Sequence, residues 1–205
     1  MSPASNHKET NRLFPVFLKL EALPVLIIGG GKIGLEKLSA VLANSPGTNV
    51  RIVSISISKE IRDLAAEYST IELKERVFLP ADADDRDIVI IAIDDKKEST
   101  RIRDIVKAKG KLVNVADKPE LCDFYMGSIV QKGNLKIGIS TNGKSPTVAK
   151  RLKELFNELL PAEIDQLLDN MQAIRSRLQG DFADKVNQLN ALTKDFVLDK
   201  TADAE

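Results

Sequence analysis

The order of residues predicts an α/β fold: a parallel sheet first, then a small β segment, then a C-terminal helical module. Three observations point to it. Through the first two-thirds of the chain, short apolar, β-rich runs alternate with amphipathic stretches, the pattern of strands buried on both faces and joined by crossover helices. A glycine string, Gly29-Gly30-Gly31-Lys32-Ile33-Gly34, follows the first such run directly. Beyond Pro146, apolar residues recur at helical spacing.

The elements follow in order. Val25-Leu26-Ile27-Ile28 is a buried strand, and the glycines after it open a helix over 31–44. Val50-Arg51-Ile52-Val53-Ser54 is a second strand. Ser58 is placed to cap a helix over 59–68. Residues 71–74 and 88–92 read as strands, 99–109 as a helix closed by Gly110, and 112–115 as a fifth strand. Residues 126–131 and 135–140 form a hairpin around Lys132-Gly133-Asn134. Ser145 then caps a helix with Pro146 at its first position. Three apolar stripes follow: Val148, Leu152, Leu155, Phe156 and Leu159; Ile164, Leu167, Leu168, Met171, Ile174 and Leu178; and Phe182, Val186, Leu189, Leu192 and Phe196. Pro161 and Gly180 punctuate them. The domain reading is 1–116 for a nucleotide-type domain, 117–146 for a β segment and 147–205 for the helical module, with a disordered polar tail from Thr201.

Composition sets the outer limits. The chain has 205 residues, of which 30 are Lys or Arg and 30 are Asp or Glu. The formal charge is therefore zero, which argues against a dedicated nucleic-acid binder. It leaves room for a local basic pocket, and Lys144, Lys150, Arg151 and Lys153 cluster around one helix start. Such a cluster is commonly a solvated face; it also suits a polycarboxylate substrate. Cys122 is the sole cysteine, which excludes an intramolecular disulfide framework and favours a reducing compartment. One histidine, His7, excludes a His-rich metal site, and no apolar run is long enough to span a bilayer. The first ten residues are polar and lack a signal core, so a cytoplasmic protein with a frayed N-terminus is expected.

The glycine string matches G-x-G-x-x-G. Alone the string is weak, but here it lies between a strand and a helix, the context it requires. Glycines permit the sharp turn and let backbone N–H groups approach a pyrophosphate at the helix N-terminus. The expectation is a Rossmann-like dinucleotide site, with a plain glycine turn as the alternative. One element departs from the usual fingerprint. The second strand ends Ile52-Val53-Ser54-Ile55-Ser56 with no acid to hold the ribose hydroxyls. Ser54, Ser56 or Ser58 can take that place, and NAD against NADP stays open. A flavin suits the short chain less well.

Ligands of such sheets sit beyond the carboxyl ends of the strands. Asp94, Asp95, Asn114 and Asp117 all fall there. Asp94-Asp95 reads mainly as a helix start. Asp117 reads either as a turn former before Lys118-Pro119 or as a general base beside a departing hydride. The stretch Ser140-Thr141-Asn142-Gly143-Lys144-Ser145 is a polar loop able to line a site while also capping a helix. Cys122 reads as a small structural residue, since no histidine is at hand to activate it.

Four blocks together resemble one family, the dehydrogenase module of siroheme synthases, or precorrin-2 dehydrogenases. They are residues 13–20 (LFPVFLKL), 25–37 (VLIIGGGKIGLEK), 113–128 (VNVADKPELCDFYMGS) and 137–146 (IGISTNGKSP). They occur in the family's order and spacing, and the likeness extends over residues 12–180. It implies NAD-dependent oxidation of precorrin-2 to sirohydrochlorin, with Fe²⁺ insertion added in some members. Carried over by residue, it implies that Gly29, Gly30, Gly31, Lys32, Ile33 and Gly34 meet the cofactor. Ile55 and Ser56 would form a second contact pair; Asp94 and Asn114 are expected to border the cofactor from their strand-end positions alone. Asp117 matches the family's essential aspartate and proposed general base. Ser128, Ser140, Thr141, Asn142, Gly143 and Lys144 fall on the substrate side. The resemblance also implies a homodimer. The sequence itself offers no metal-ligand cluster, and with nothing in it resembling the methyltransferase domain of some siroheme synthases, methylation of the substrate is expected from other proteins. A contrasting expectation is a non-catalytic NAD-sensing domain, which keeps the glycine turn but leaves the 113–128 block unexplained.

Overall fold

The computed structural model describes residues 10–178 and 181–193. His7, Gly180, Phe196 and the tail from Thr201 lie outside the described residues. The chain divides into two compact units. One is Leu13–Met126; the other comprises the described residues up to Arg12 and from Gly127 onward.

In the first unit, strands and helices alternate: β1 (Val25–Gly30), α1 (Lys32–Asn44), β2 (Val50–Ile57), α2 (Lys59–Glu67), β3 (Ile71–Glu75), β4 (Ile88–Ile91), α3 (Lys96–Ala108) and β5 (Leu112–Val115). The strands form one parallel sheet in the order β3-β2-β1-β4-β5. The chain runs outward from β1 through β2 to β3, then crosses back to β4 and β5. The order therefore reverses between β1 and β4, where ligands of such sheets bind.

The sheet is held by burial on both faces. Successive side chains of a strand point to opposite sides, and every residue of β1 is buried. Val25 and Ile27 pack on one face with Leu38, Val41 and Leu42 of α1 and Ile61 of α2. Leu26 and Ile28 pack on the other face with Val89, Ile91, and Ile102 and Val106 of α3. Each such side chain contributes roughly 1.5–3 kcal/mol through removal from water.

Two boundaries differ from the sequence expectation by three residues, and the first hairpin strand starts at Ser128 rather than 126. Helix α3 starts at Lys96 rather than 99, because Asp95 caps it by accepting the Glu98 N–H at 3.0 Å. The charged residues of its first turn give no apolar signal. Strand β2 runs on to Ile57 through a bulge: between the pairs Ile28–Val53 and Gly30–Ile57, β1 advances two residues and β2 four. The expected Ser58 cap is present, its Oγ accepting the Ile61 N–H at 3.4 Å. Gly110 lies just past α3 with φ 72°.

The second unit holds an antiparallel hairpin, β6 (Ser128–Lys132) and β7 (Leu135–Ile139), and three helices, α4 (Pro146–Leu159), α5 (Ile164–Arg177) and α6 (Phe182–Thr193). The hairpin tip needs glycine: Gly133 has φ 55°, and a Cβ there would lie 2.0 Å from the Asp165 carboxyl carbon. Asp165 accepts the Asn134 backbone N–H at 2.6 Å, tying the tip to α5. No helix among the described residues is long and apolar enough to cross a membrane.

Candidate dinucleotide site

The glycine turn forms at the point where the strand order reverses. Three of its glycines are required by the fold itself. At Gly29, φ is 125° and a Cβ would lie 2.2 Å from the Ala92 carbonyl oxygen at the end of β4. At Gly30 it would lie 2.3 Å from the Ser56 carbonyl oxygen at the end of β2. At Gly34, inside α1, it would lie 2.1 Å from the Gly29 carbonyl oxygen. These contacts let β1 turn sharply into α1 with the helix seated close on the sheet.

Gly31 is different. Its φ of −94° and ψ of −161° suit any residue, and a Cβ there would meet nothing within 4 Å. Neither conformation nor packing within the described residues calls for glycine. The position is exposed and is the N-cap of α1, with no side-chain cap. The helix has no acidic residue in its first turn. The leading N–H groups of a helix lack intrahelical partners and favour an anion. An open cradle with an uncapped helix start fits the pyrophosphate of a dinucleotide, and Lys32 and Ile33 stand beside it as the first residues of α1.

At the end of β2, the bulge presents Ile55, 76% exposed, and exposed Ser56. The Gly30 carbonyl accepts the Ser58 N–H at 2.9 Å, so this end of β2 is fastened to the glycine turn. No acid stands on this stretch, but one reaches it from the neighbouring strand. Glu75 of β3 accepts the Ile57 N–H at 3.1 Å and pairs with Arg62 of α2 at 2.6 Å. Linear sequence reasoning missed this acid, because strand pairing and not chain order brings it there.

The ends of β4 and β5 complete the rim. Asp94 is exposed beside the α3 cap. Asp117 is exposed just past β5 and holds a left-handed backbone, φ 58°, uncommon for a residue with a Cβ. Such strain persists only where surrounding bonds impose it, and those bonds are present. The Lys118 ammonium donates to the Ile93 carbonyl at 3.2 Å, joining the two strand ends. The Cys122 thiol lies 3.2 Å from both the N–H and the carbonyl of Val115 and 3.3 Å from the Lys118 carbonyl. Burial pushes that thiol's pKa up, so the cysteine holds the turn in neutral form. Asn114 is buried, and its Nδ2 donates to the Phe124 carbonyl at 2.8 Å. Lys118 and the Cys122 clamp went unread in the sequence as supports of Asp117, although the turn itself was one of the two readings of that residue.

The residues expected on the substrate side lie in the other unit. Ser128 begins β6, and the loop from Ser140 to Ser145 joins β7 to α4. The loop is held by its own hydroxyls. Thr141 Oγ1 accepts the Ser145 N–H at 3.2 Å and donates to the Ser145 carbonyl at 3.1 Å. Ser140 Oγ accepts the Asn142 N–H at 3.2 Å, and Ser145 Oγ caps Val148 at 3.2 Å. Asn142 and Gly143 are consecutive left-handed residues, φ 54° and 74°, and Lys144 is exposed. Among the described residues, no group of three or more His, Cys, Asp or Glu side chains is arranged to hold a metal ion.

Comparisons with known proteins agree with this geometry. Residues 16–128 match the family described as putative NAD(P)-binding, and residues 132–159 match the family described as sirohaem biosynthesis protein central. The siroheme synthase of Methylococcus capsulatus is 32% identical over 174 residues, which are 85% of this chain and 34% of that protein. Siroheme synthase 1 of Klebsiella pneumoniae is 33% identical over 165 residues, 80% of this chain and 34% of that one. The chain thus spans about a third of the length of these curated relatives. Among solved structures, SirC, a precorrin-2 dehydrogenase, superimposes with a TM-score of 0.68 at 24% identity, covering 88% of this chain and 89% of that one. That likeness is one of fold. With the open glycine cradle at the switch point of a parallel sheet, and more than half its length matched, the chain belongs to the putative NAD(P)-binding family.

Proposed function

We propose that this chain oxidises precorrin-2 to sirohydrochlorin with NAD⁺, as the dehydrogenase of siroheme biosynthesis. The reading rests on one observation above the others: an open dinucleotide cradle at Gly31 shares its strand-end rim with Asp117, a carboxylate held in a left-handed turn. The similarity to siroheme synthases and the SirC fold support it.

The bound nicotinamide supplies the hydride acceptor. The protein supplies position and a proton acceptor, which is most of what hydride transfer asks of it. Gly31 and the start of α1 take the pyrophosphate, and Ile55 gives an apolar surface to the adenosine end. Asp117 removes the proton that leaves with the hydride. The Lys118–Ile93 bond and the Cys122 clamp hold that carboxylate in place. Ser128 and the Ser140–Lys144 loop bind the substrate, whose carboxylates suit Lys144 and Lys150. The active form in this reading is a cytoplasmic homodimer. Exposed apolar side chains on the C-terminal helices, among them Leu155, Leu159 and Phe182, support the association.

The test is anaerobic incubation with precorrin-2 and NAD⁺, followed by absorbance. Sirohydrochlorin should form only with NAD⁺ present. Dinucleotide binding without turnover of the tetrapyrrole would overturn the reading in favour of a sensing domain.

A further inference from the structure

The NAD(P)-binding family accounts for the glycine turn but leaves a gap at the second strand. Dinucleotide sites usually place a carboxylate there to accept the adenosine ribose hydroxyls, and residues 54–58 of this chain contain none. We propose that Glu75, reaching across from β3, is the ribose-binding carboxylate of this site and the residue that makes it choose NAD over NADP. The inference rests on the family reading and not on the identity of the oxidised substrate.

Position carries the argument. Strand β3 ends level with Ser54, the partner of Glu75 in the ladder. The Glu75 carboxylate extends past the strand end to the Ile57 N–H, and Ile57 is the residue paired with Gly30 of the glycine turn. The carboxylate therefore stands at the tip of β2, where the ribose of a dinucleotide held by that turn would fall. It also has surface to offer. Oε1 receives both the Ile57 N–H and the Arg62 guanidinium. The side chain is 45% exposed, so the carboxylate is accessible to a ligand.

Arg62 completes the device. Pairing with Arg62, reinforced by the Ile57 N–H, holds the Glu75 carboxyl below its ordinary range, so it is anionic at neutral pH. An anionic acceptor bonds a 2′-hydroxyl and repels a 2′-phosphate. The same pairing occupies the Arg62 guanidinium, which would otherwise welcome that phosphate. Loss of the Glu75 charge should therefore weaken NADH and strengthen NADPH together.

The experiment titrates the full chain with NADH and with NADPH, reading coenzyme fluorescence, so that binding is measured without catalysis. Wild type should prefer NADH by about tenfold or more. Glu75→Gln keeps an oxygen for the Ile57 N–H and should narrow the NADH-to-NADPH preference by about tenfold. Adding Arg62→Ala to it should remove the gain in NADPH binding. Arg62→Ala alone should widen the preference, and thermal unfolding checks that each variant is folded. An unchanged ratio in folded Glu75→Gln that still binds NADH would overturn the proposal and leave the dinucleotide site standing. Wild type that binds neither coenzyme would overturn the site itself, and the proposal with it.

Discussion

The two units of this chain solve the burial problem differently. Leu13–Met126 closes its own core: all of β1 is buried, and apolar side chains from three helices cover both faces of the sheet. Among the described residues of the other unit, the buried hydrophobic side chains are Val130, Ala149 and Ile164, while Val148, Leu155, Leu159, Leu168, Phe182 and Leu192 stay exposed. The first unit has what it needs to fold and to hold a nucleotide. The second has little core of its own and leaves apolar side chains in water, as the first unit also does at Phe14, Val16 and Phe17; such surface suits association. In the proposed function, coenzyme and proton transfer fall to the first unit, and substrate and partner to the second.

The largest expected effect tests the chemistry placed in the first unit. Asp117→Ala should lower kcat by about 10²–10⁴-fold, the usual contribution of a positioned general base. NADH affinity should hold within about twofold, because the cradle is untouched. A variant with full turnover would remove Asp117 from the mechanism and break the assignment.

Next comes Gly31→Val. A valine at Gly29, Gly30 or Gly34 would strike backbone oxygens, whereas at Gly31 a side chain meets open space. The variant should fold with an unchanged melting temperature and yet bind NADH at least about tenfold more weakly, ~1.4 kcal/mol. Retained binding would show that the fold and not the coenzyme explains the turn.

A smaller effect concerns the stability of the first unit and its pH dependence. Asp82 is 3% exposed and accepts both arms of the Arg76 guanidinium, at 2.6 and 2.7 Å, together with the Leu79 N–H at 2.9 Å. Burial alone would raise its pKa; the Arg76 and Leu79 bonds outweigh that and hold it below the ordinary value. A pKa depressed by folding adds stability that is full above the unfolded value, about 3.9, and is lost as pH falls through the folded one. Asp82→Asn should cost about 1–3 kcal/mol at neutral pH in chemical denaturation. Its gap to wild type should begin to close below about pH 4. A gap that persisted through strong acid would mean that packing and not charge accounts for the loss.

The same contrast explains what was legible in the sequence. The parallel sheet could be read because Val25 to Ile28 and Ile88 to Ile91 are continuous apolar runs, the mark of strands covered on both faces. The glycine turn could be read because its context is local: strand before, helix after. What escaped reading depends on neighbours distant in the chain. Glu75 reaches Ile57 only because β3 pairs with β2, and the bulge that extends β2 through Ile55 has no residue signature. Asp117 was singled out by its place after β5, but its left-handed backbone and its supports, Lys118 on Ile93 and Cys122 on Val115, appear only in three dimensions. In the second unit the helices were legible from their apolar stripes, yet a stripe says only that a face seeks cover, not what covers it.

Leu155 asks that last question at the smallest energetic scale. It lies on α4 and is 46% exposed, so Leu155→Glu deletes little packing within one chain. In dilute solution its effect on stability should stay within about 0.5 kcal/mol, the usual range for a surface change. In the proposed homodimer the same residue would be covered, and a glutamate would then bury a charge at an apolar contact. Wild type should accordingly show a melting temperature that rises with protein concentration, as mass action requires of a dimer. The variant should lose that dependence and sediment as a monomer. If wild type and variant sediment alike and melt alike at every concentration, the exposed stripe of α4 is not an association face, and the division of labour between the two units loses its second half.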